Sequence, residues 1–94
     1  MASTIFVRHR VADYEAWKKG YDAAEPLRKQ YGVTRKTVHR DPDDPNLIIV
    51  SHRFPDIAQA RAFSGAAELR EVMQQAGVQG QPEFWFTEDI EEIG

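Results

Sequence analysis

Twice along this chain an alternating apolar pattern gives way to a helical one, and each helical stretch leads back into alternation. Residues 4 to 11 alternate, with Ile5, Val7, His9 and Val11 on one face and Thr4, Phe6, Arg8 and Arg10 on the other. Asp13 is then a predicted N-cap, and Glu15 suits the positive end of the helix that follows. Tyr14, Trp17, Tyr21, Ala24, Leu27 and Tyr31 recur in steps of three and four. They form one aromatic-rich stripe, which Pro26 kinks or divides and Gly32 ends. Residues 33–40 and 47–54 read as a hairpin around Asp41-Pro42-Asp43-Asp44-Pro45-Asn46, a run dense in turn formers. Asp56 opens a second helix with Gln59 at its third position. Ala60, Phe63, Ala66, Leu69, Met73 and Ala76 give that helix its apolar face. Ser64-Gly65 should interrupt it, with Ser64 capping the second piece, and Gly77 should end it. Gly80 to Pro82 read as a loop, and Glu83 to Glu88 as a last strand.

The order strand, helix, strand, strand, helix, strand predicts an α+β, ferredoxin-like βαββαβ domain over residues 1–94. Its usual form is a four-stranded antiparallel sheet with both helices on one face. Right-handed crossovers are expected to make the first and third strands parallel neighbours. The uncovered face must carry Phe6 and part of the Phe84–Phe86 run, so it is expected to meet a partner. The acidic tail from Glu88 to Ile93 is expected to fray or to lie across a neighbouring subunit.

Composition narrows the function classes. Hydrophobic residues make up 41% and charged residues 29%, an ordinary balance for a globular domain. There is no cysteine, which removes disulfides, thiolate chemistry and Cys-based zinc sites, and suits a reducing cytoplasm. No apolar run nears the roughly 20 residues that span a bilayer, and the first residues read as the lead-in to a strand. A net charge of −3 argues against a nucleic-acid partner. Asp41, Asp43 and Asp44 resemble the start of a calcium loop, but Pro45 takes the next ligand position. The three histidines lack zinc-binding spacing, so neither a metal nor a cofactor is expected. Gly77-Val78-Gln79-Gly80 echoes a phosphate loop but brings no arginine, and the basic-aromatic signature of RNA-recognition modules is missing.

The histidines are the informative ionisable groups. His9 shares a face with Ile5 and Val7, and His52 shares one with Ile48 and Val50. On parallel neighbouring strands the two would converge at one end of a helix-covered pocket, as acid or base near neutral pH. The plainer alternative is a hydrogen-bonded histidine at the edge of the core. His39 sits on a strand with no clear apolar face and reads as a solvent or interface residue. Tyr14, Trp17 and Tyr21 either pack the core or reach the pocket with their polar tips to orient a ligand. Phe63 and Met73 would add apolar wall, while Arg35, Arg53 and Glu83 could pair across strands or between subunits.

Val7-Arg8-His9, Asp13-Tyr14 to Trp17-Lys18, and Arg40-Asp41 with Asp43 to Asn46 resemble small bacterial members of the dimeric α/β-barrel superfamily. Glu68-Leu69-Arg70 through Met73 to Ala76-Gly77-Val78 and Pro82-Glu83 match the same group, the antibiotic-biosynthesis-monooxygenase type. The resemblance implies a homodimer whose two sheets pack face to face as a barrel, with a ligand pocket between each sheet and its helices. It implies a cofactor-independent cyclase or monooxygenase acting on a small aromatic or polyketide-like substrate. The alternative is a non-catalytic homodimer that binds a small metabolite or serves a stress or accessory role. Haem-degrading members would carry an Asn, Trp and His set, whereas the lone asparagine here, Asn46, falls in the hairpin turn.

Overall fold

A computed structural model describes residues 1–92. The N-terminal alternation becomes strand β1 (Ser3–Val11), with its odd-numbered residues buried. Helix α1 (Tyr14–Ala23) starts where the Asp13 carboxylate accepts the Ala16 N–H at 3.0 Å. A second tie comes from far along the chain, where Asn46 Oδ1 accepts the Tyr14 N–H at 3.0 Å. Pro26 falls in the first turn of helix α2 (Glu25–Gln30), where its missing N–H is no loss, so the stripe becomes two helices. Gly32, at φ 85°, turns the chain in a conformation that side chains resist. Strand β2 (Arg35–Arg40) and strand β3 (Leu47–Phe54) form the expected hairpin.

Helix α3 (Ile57–Ser64) begins at Asp56, whose carboxylate accepts the Gln59 N–H at 2.9 Å. Helix α4 (Ala67–Gln75) follows a break at Gly65-Ala66. The cap expected of Ser64 is corrected here: its hydroxyl donates back to the Arg61 carbonyl at 3.0 Å, and Ala66 takes the N-cap position. Strand β4 (Val78–Glu88) begins earlier than its sequence suggests and includes Gly80 to Pro82. Those residues form a bulge rather than a loop. Arg8 pairs with Glu83 and Arg10 with Gln79, so three residues of β4 stand opposite His9. Gly80 sits at φ 68°, and Pro82 has no N–H to offer a ladder.

The sheet runs β2-β3-β1-β4, and every neighbouring pair is antiparallel. The expected parallel pairing of β1 and β3 is therefore corrected. The crossover through α1 and α2 leads to β2, so β1 and β2 share a direction. The tight hairpin then reverses the chain and inserts β3 between them.

Ile5, Val7, Ile48, Val50, Phe54, Ala60 and Phe63 fill the layer between sheet and helices. Helix α1 lies close over α4 at Gly20, where an added Cβ would stand 2.9 Å from the Ala76 Cβ. On the uncovered face Phe6 and Trp85 are register partners, 41% and 46% exposed. Through residue 92 the tail lies against its own sheet, where the Asp89 N–H reaches the Ala2 carbonyl at 2.8 Å. Asp89 also pairs with Arg53 at 2.9 Å, and Glu92 with Arg35 at 2.7 Å, across the uncovered face. Ile93 lies outside the described residues. Among the described residues no helix is long and apolar enough to cross a membrane.

The contact at Gly20 gives a direct test of the helix layer. Gly20→Val should destabilise the domain by about 1–3 kcal/mol through overpacking against Ala76. Urea unfolding would measure it, and an unchanged midpoint would mean that α1 and α4 do not approach this closely.

Candidate functional site

Between the sheet and the helices lies a cavity lined by side chains from every layer. Ile5, Val7 and His9 come from β1, Val50 and His52 from β3, and Phe84 from β4. The helices add Trp17, Tyr21, Leu27, Arg28, Phe63, Leu69 and Met73, among others. The walls are apolar apart from the two imidazoles, Arg28 and the polar tips of Trp17 and Tyr21. The volume open to the centre of a water-sized sphere is about 40 Å³. That is room for about three waters, against roughly 300–1,000 Å³ for a pocket holding a drug-sized ligand. An aromatic guest enters only if the walls move, and unbranched Met73 is the lining side chain best able to yield.

Both histidines line this cavity, each 5% exposed. They do not converge at one end. His52 stands opposite Ile5, and His9 stands opposite Ile48. Four residues of β1 thus separate the two levels, about 14 Å along the strand. The antiparallel pairing is the cause, because it sends the C-terminal halves of β1 and β3 in opposite directions.

An aromatic chain joins them instead. The ring centroids of His9 and Trp17 are 5.6 Å apart, those of Trp17 and Tyr21 4.9 Å, and those of Tyr21 and His52 6.0 Å. Trp17 and Tyr21 are four residues apart on α1, which stacks them on one helix face. Phe63 from α3 meets His52 edge-on at 5.4 Å. Tyr14 is not among the lining residues. It lies at the helix start with Arg40 over its ring at 4.7 Å. His39 is on the uncovered face, 3.0 Å from the Thr37 hydroxyl.

The polar centre of the cavity is a 3.1 Å hydrogen bond between Tyr21 Oη and His52 Nε2. Burial raises the Tyr21 phenol to about 12, so its hydrogen is present throughout the physiological range. Burial, helped by the charges of Arg28 and Lys36, lowers the His52 imidazole to about 4. Burial also lowers His9. Both rings are therefore neutral at pH 7, and the phenol is the natural donor to Nε2. The Nδ1 atoms of His9 and His52 are buried with no partner among the described residues. A buried polar atom without a partner costs about 1–3 kcal/mol, so a ligand that bonds either one recovers that energy.

Arg28 is a cavity-lining residue that the apolar stripe concealed. It is 4% exposed, and its guanidinium lies over the Tyr21 ring, 3.9 Å from the centroid. Its Nε bonds the Glu25 carboxylate at 2.9 Å, and it also donates to the Tyr21 carbonyl. The signal was its spacing of seven residues from Tyr21, two helical turns, although a charged residue on an inner face is unusual. Among the described residues no group of three or more His, Cys, Asp or Glu is placed to hold a metal ion.

No protein-family model matches the chain, and no curated protein matches it in sequence. Solved structures do match. A Bordetella bronchiseptica protein bearing the name of an antibiotic biosynthesis monooxygenase superposes with a TM-score of 0.80 at 14% identity, covering 96% of this chain and 98% of that one. SnoaB from Streptomyces nogalater, a cofactor-independent oxygenase, gives 0.79 at 14% identity, with 98% and 96% covered. NE2512 from Nitrosomonas europaea, a protein of unknown function, gives 0.76 at 20% identity, with 98% and 92% covered. The chain shares the fold of these solved structures. Nearly every residue takes part in the match, which bears out the ferredoxin-like fold expected from the element order.

The depressed imidazole at His52 has a measurable consequence for stability. The unfolded chain takes up a proton near the ordinary value of 6.5, while the folded chain resists until about 4. Across that window the unfolded state binds more protons, so stability falls as the pH falls. His52 alone should account for a loss on the order of 3 kcal/mol. Urea unfolding at pH 7 and pH 4.5 should show the loss, and His52→Gln should flatten it. An equally steep decline in the variant would place the titrating group elsewhere.

Proposed function

We propose that this chain is a monooxygenase-type enzyme that acts, without a bound cofactor, on a small aromatic or polyketide-like molecule in the helix-covered cavity. The observation that carries the reading is the Tyr21–His52 hydrogen bond set into an otherwise apolar cavity. The likeness to SnoaB, itself a cofactor-independent oxygenase, supports the choice of chemistry.

On a cofactor-free route the electrons that reduce dioxygen come from the substrate. A phenol or enol becomes electron-rich enough for this once it has lost a proton. His52 is placed to take that proton at Nδ1. Rotation of the Tyr21 hydroxyl lets Nε2–H donate to it instead, which frees Nδ1 as the basic nitrogen. An imidazole at about 4 is a weak base in the empty cavity. An anion forming beside it favours the imidazolium and raises that value as the reaction proceeds. Trp17 and Phe63 offer flat surfaces for an aromatic ring. The same proton abstraction would start an enolisation and ring closure, the cyclase variant.

The small cavity favours a second reading, in which a non-catalytic homodimer holds a small metabolite. Homodimerisation belongs to both readings, through the uncovered face where Phe6 and Trp85 stand side by side.

Two experiments test these assignments. Oxygen uptake with anthrone and naphthol probes should fall roughly 10²–10⁴-fold in His52→Ala while its circular dichroism stays native. Uptake that persists in the variant would remove His52 from the chemistry, and no uptake by either protein would favour the binding reading. Light scattering after size exclusion should return a dimer mass at micromolar concentration, and Phe6→Glu should dissociate it. A monomer across the whole dilution series, or a dimer untouched by Phe6→Glu, would rule out this face.

A further inference from the structure

One wall of the cavity carries a charge that its surroundings do not fully answer. Arg28 is 4% exposed, and a buried cation ordinarily has a carboxylate of its own. Among the described residues its ion-pair partner is Glu25, which it shares. Arg28 Nε and Lys36 Nζ both reach Glu25 Oε1, at 2.9 and 2.8 Å. Two positive groups thus lean on one carboxylate oxygen, so the three side chains together carry one positive charge more than negative.

The geometry says what would answer it. The side chains of Glu25 and Lys36 are 38% and 37% exposed, so the carboxylate can swing into water without leaving the fold. The guanidinium cannot, since it is buried against the Tyr21 ring. Beyond that ring lies the His52 imidazole, and beyond both lies the apolar interior. A ligand with a negative group at one end and an apolar body at the other matches this sequence of surroundings. The two cations already hold the Glu25 carboxyl down to about 2, which shows how strongly they favour an anion.

Building on the cavity reading above, we propose that the ligand carries a carboxylate, which replaces Glu25 between Arg28 and Lys36 while its aromatic body fills the cavity. Glu25 is then the internal stand-in for that carboxylate in the empty protein. It excludes neutral molecules by no contact of its own, so the preference for acids comes from the two cations alone.

The test compares 2-naphthoate with 2-naphthamide, which share a body and differ in charge, by calorimetry and by tryptophan fluorescence. The acid should bind roughly tenfold or more tightly than the amide, the scale of one charge-assisted hydrogen bond. Glu25→Gln removes the competing carboxylate, so it should tighten the acid several-fold and leave the amide unchanged. Lys36→Met and Arg28→Met should each erase the difference. Because Arg28 is buried and its variant could fail to fold, the half-exposed Lys36 gives the decisive substitution. Equal affinity for acid and amide would overturn the proposal and leave the cavity reading standing. Failure of both probes to bind would overturn the two together.

Discussion

Strand β1 has hydrogen-bonded neighbours on both sides, so a slip of one residue would turn its whole apolar set outward and ruin two registers at once. Its alternation therefore fixes far more than its own nine residues. It decides that Ile5 and Val7 floor the cavity, that His9 joins them, and that Phe6 faces away beside Trp85. The helices can then cover only one side. Asn46 completes the arrangement from the turn of the β2–β3 hairpin, holding the start of α1 over that side by its bond to the Tyr14 N–H.

Local chemistry made most of this legible in the sequence. Asp13 and Asp56 mark helix starts because a carboxylate there meets free N–H groups, and the structure uses both. Strand faces were readable because burial follows a period of two. Strand direction was not written in any residue: the mistaken parallel pairing of β1 and β3 came from applying the crossover rule to the wrong pair. Convergence of the two histidines failed with it, although their shared face survived. The β4 bulge was hidden because Gly80 and Pro82 suggest a loop wherever no partner strand is in view. Arg28 was hidden for a different reason, since its burial depends on Tyr21, Glu25 and Lys36 meeting in space.

The cavity joins two demands that pull against each other. Apolar walls that would hold an aromatic body also strip water from His52, and the neighbouring cations press its imidazole in the same direction. An anion at the Arg28 end reverses one of those influences. The residue that would use a negative ligand is thus sensitive to whether one is present, through Tyr21, which touches both.

The bulge in β4 has a bearing on how this protein behaves in a crowded solution. Sheet edges are templates on which further strands add, and an open four-stranded sheet has two of them. On the β4 side, Gly80 to Pro82 break the row of N–H and C=O groups, and proline supplies no donor at all. On the β2 side the strand is six residues long and carries Arg35, Lys36 and Arg40, whose charges repel a like copy. Growth strand by strand into fibrils is therefore hindered at both edges of the sheet.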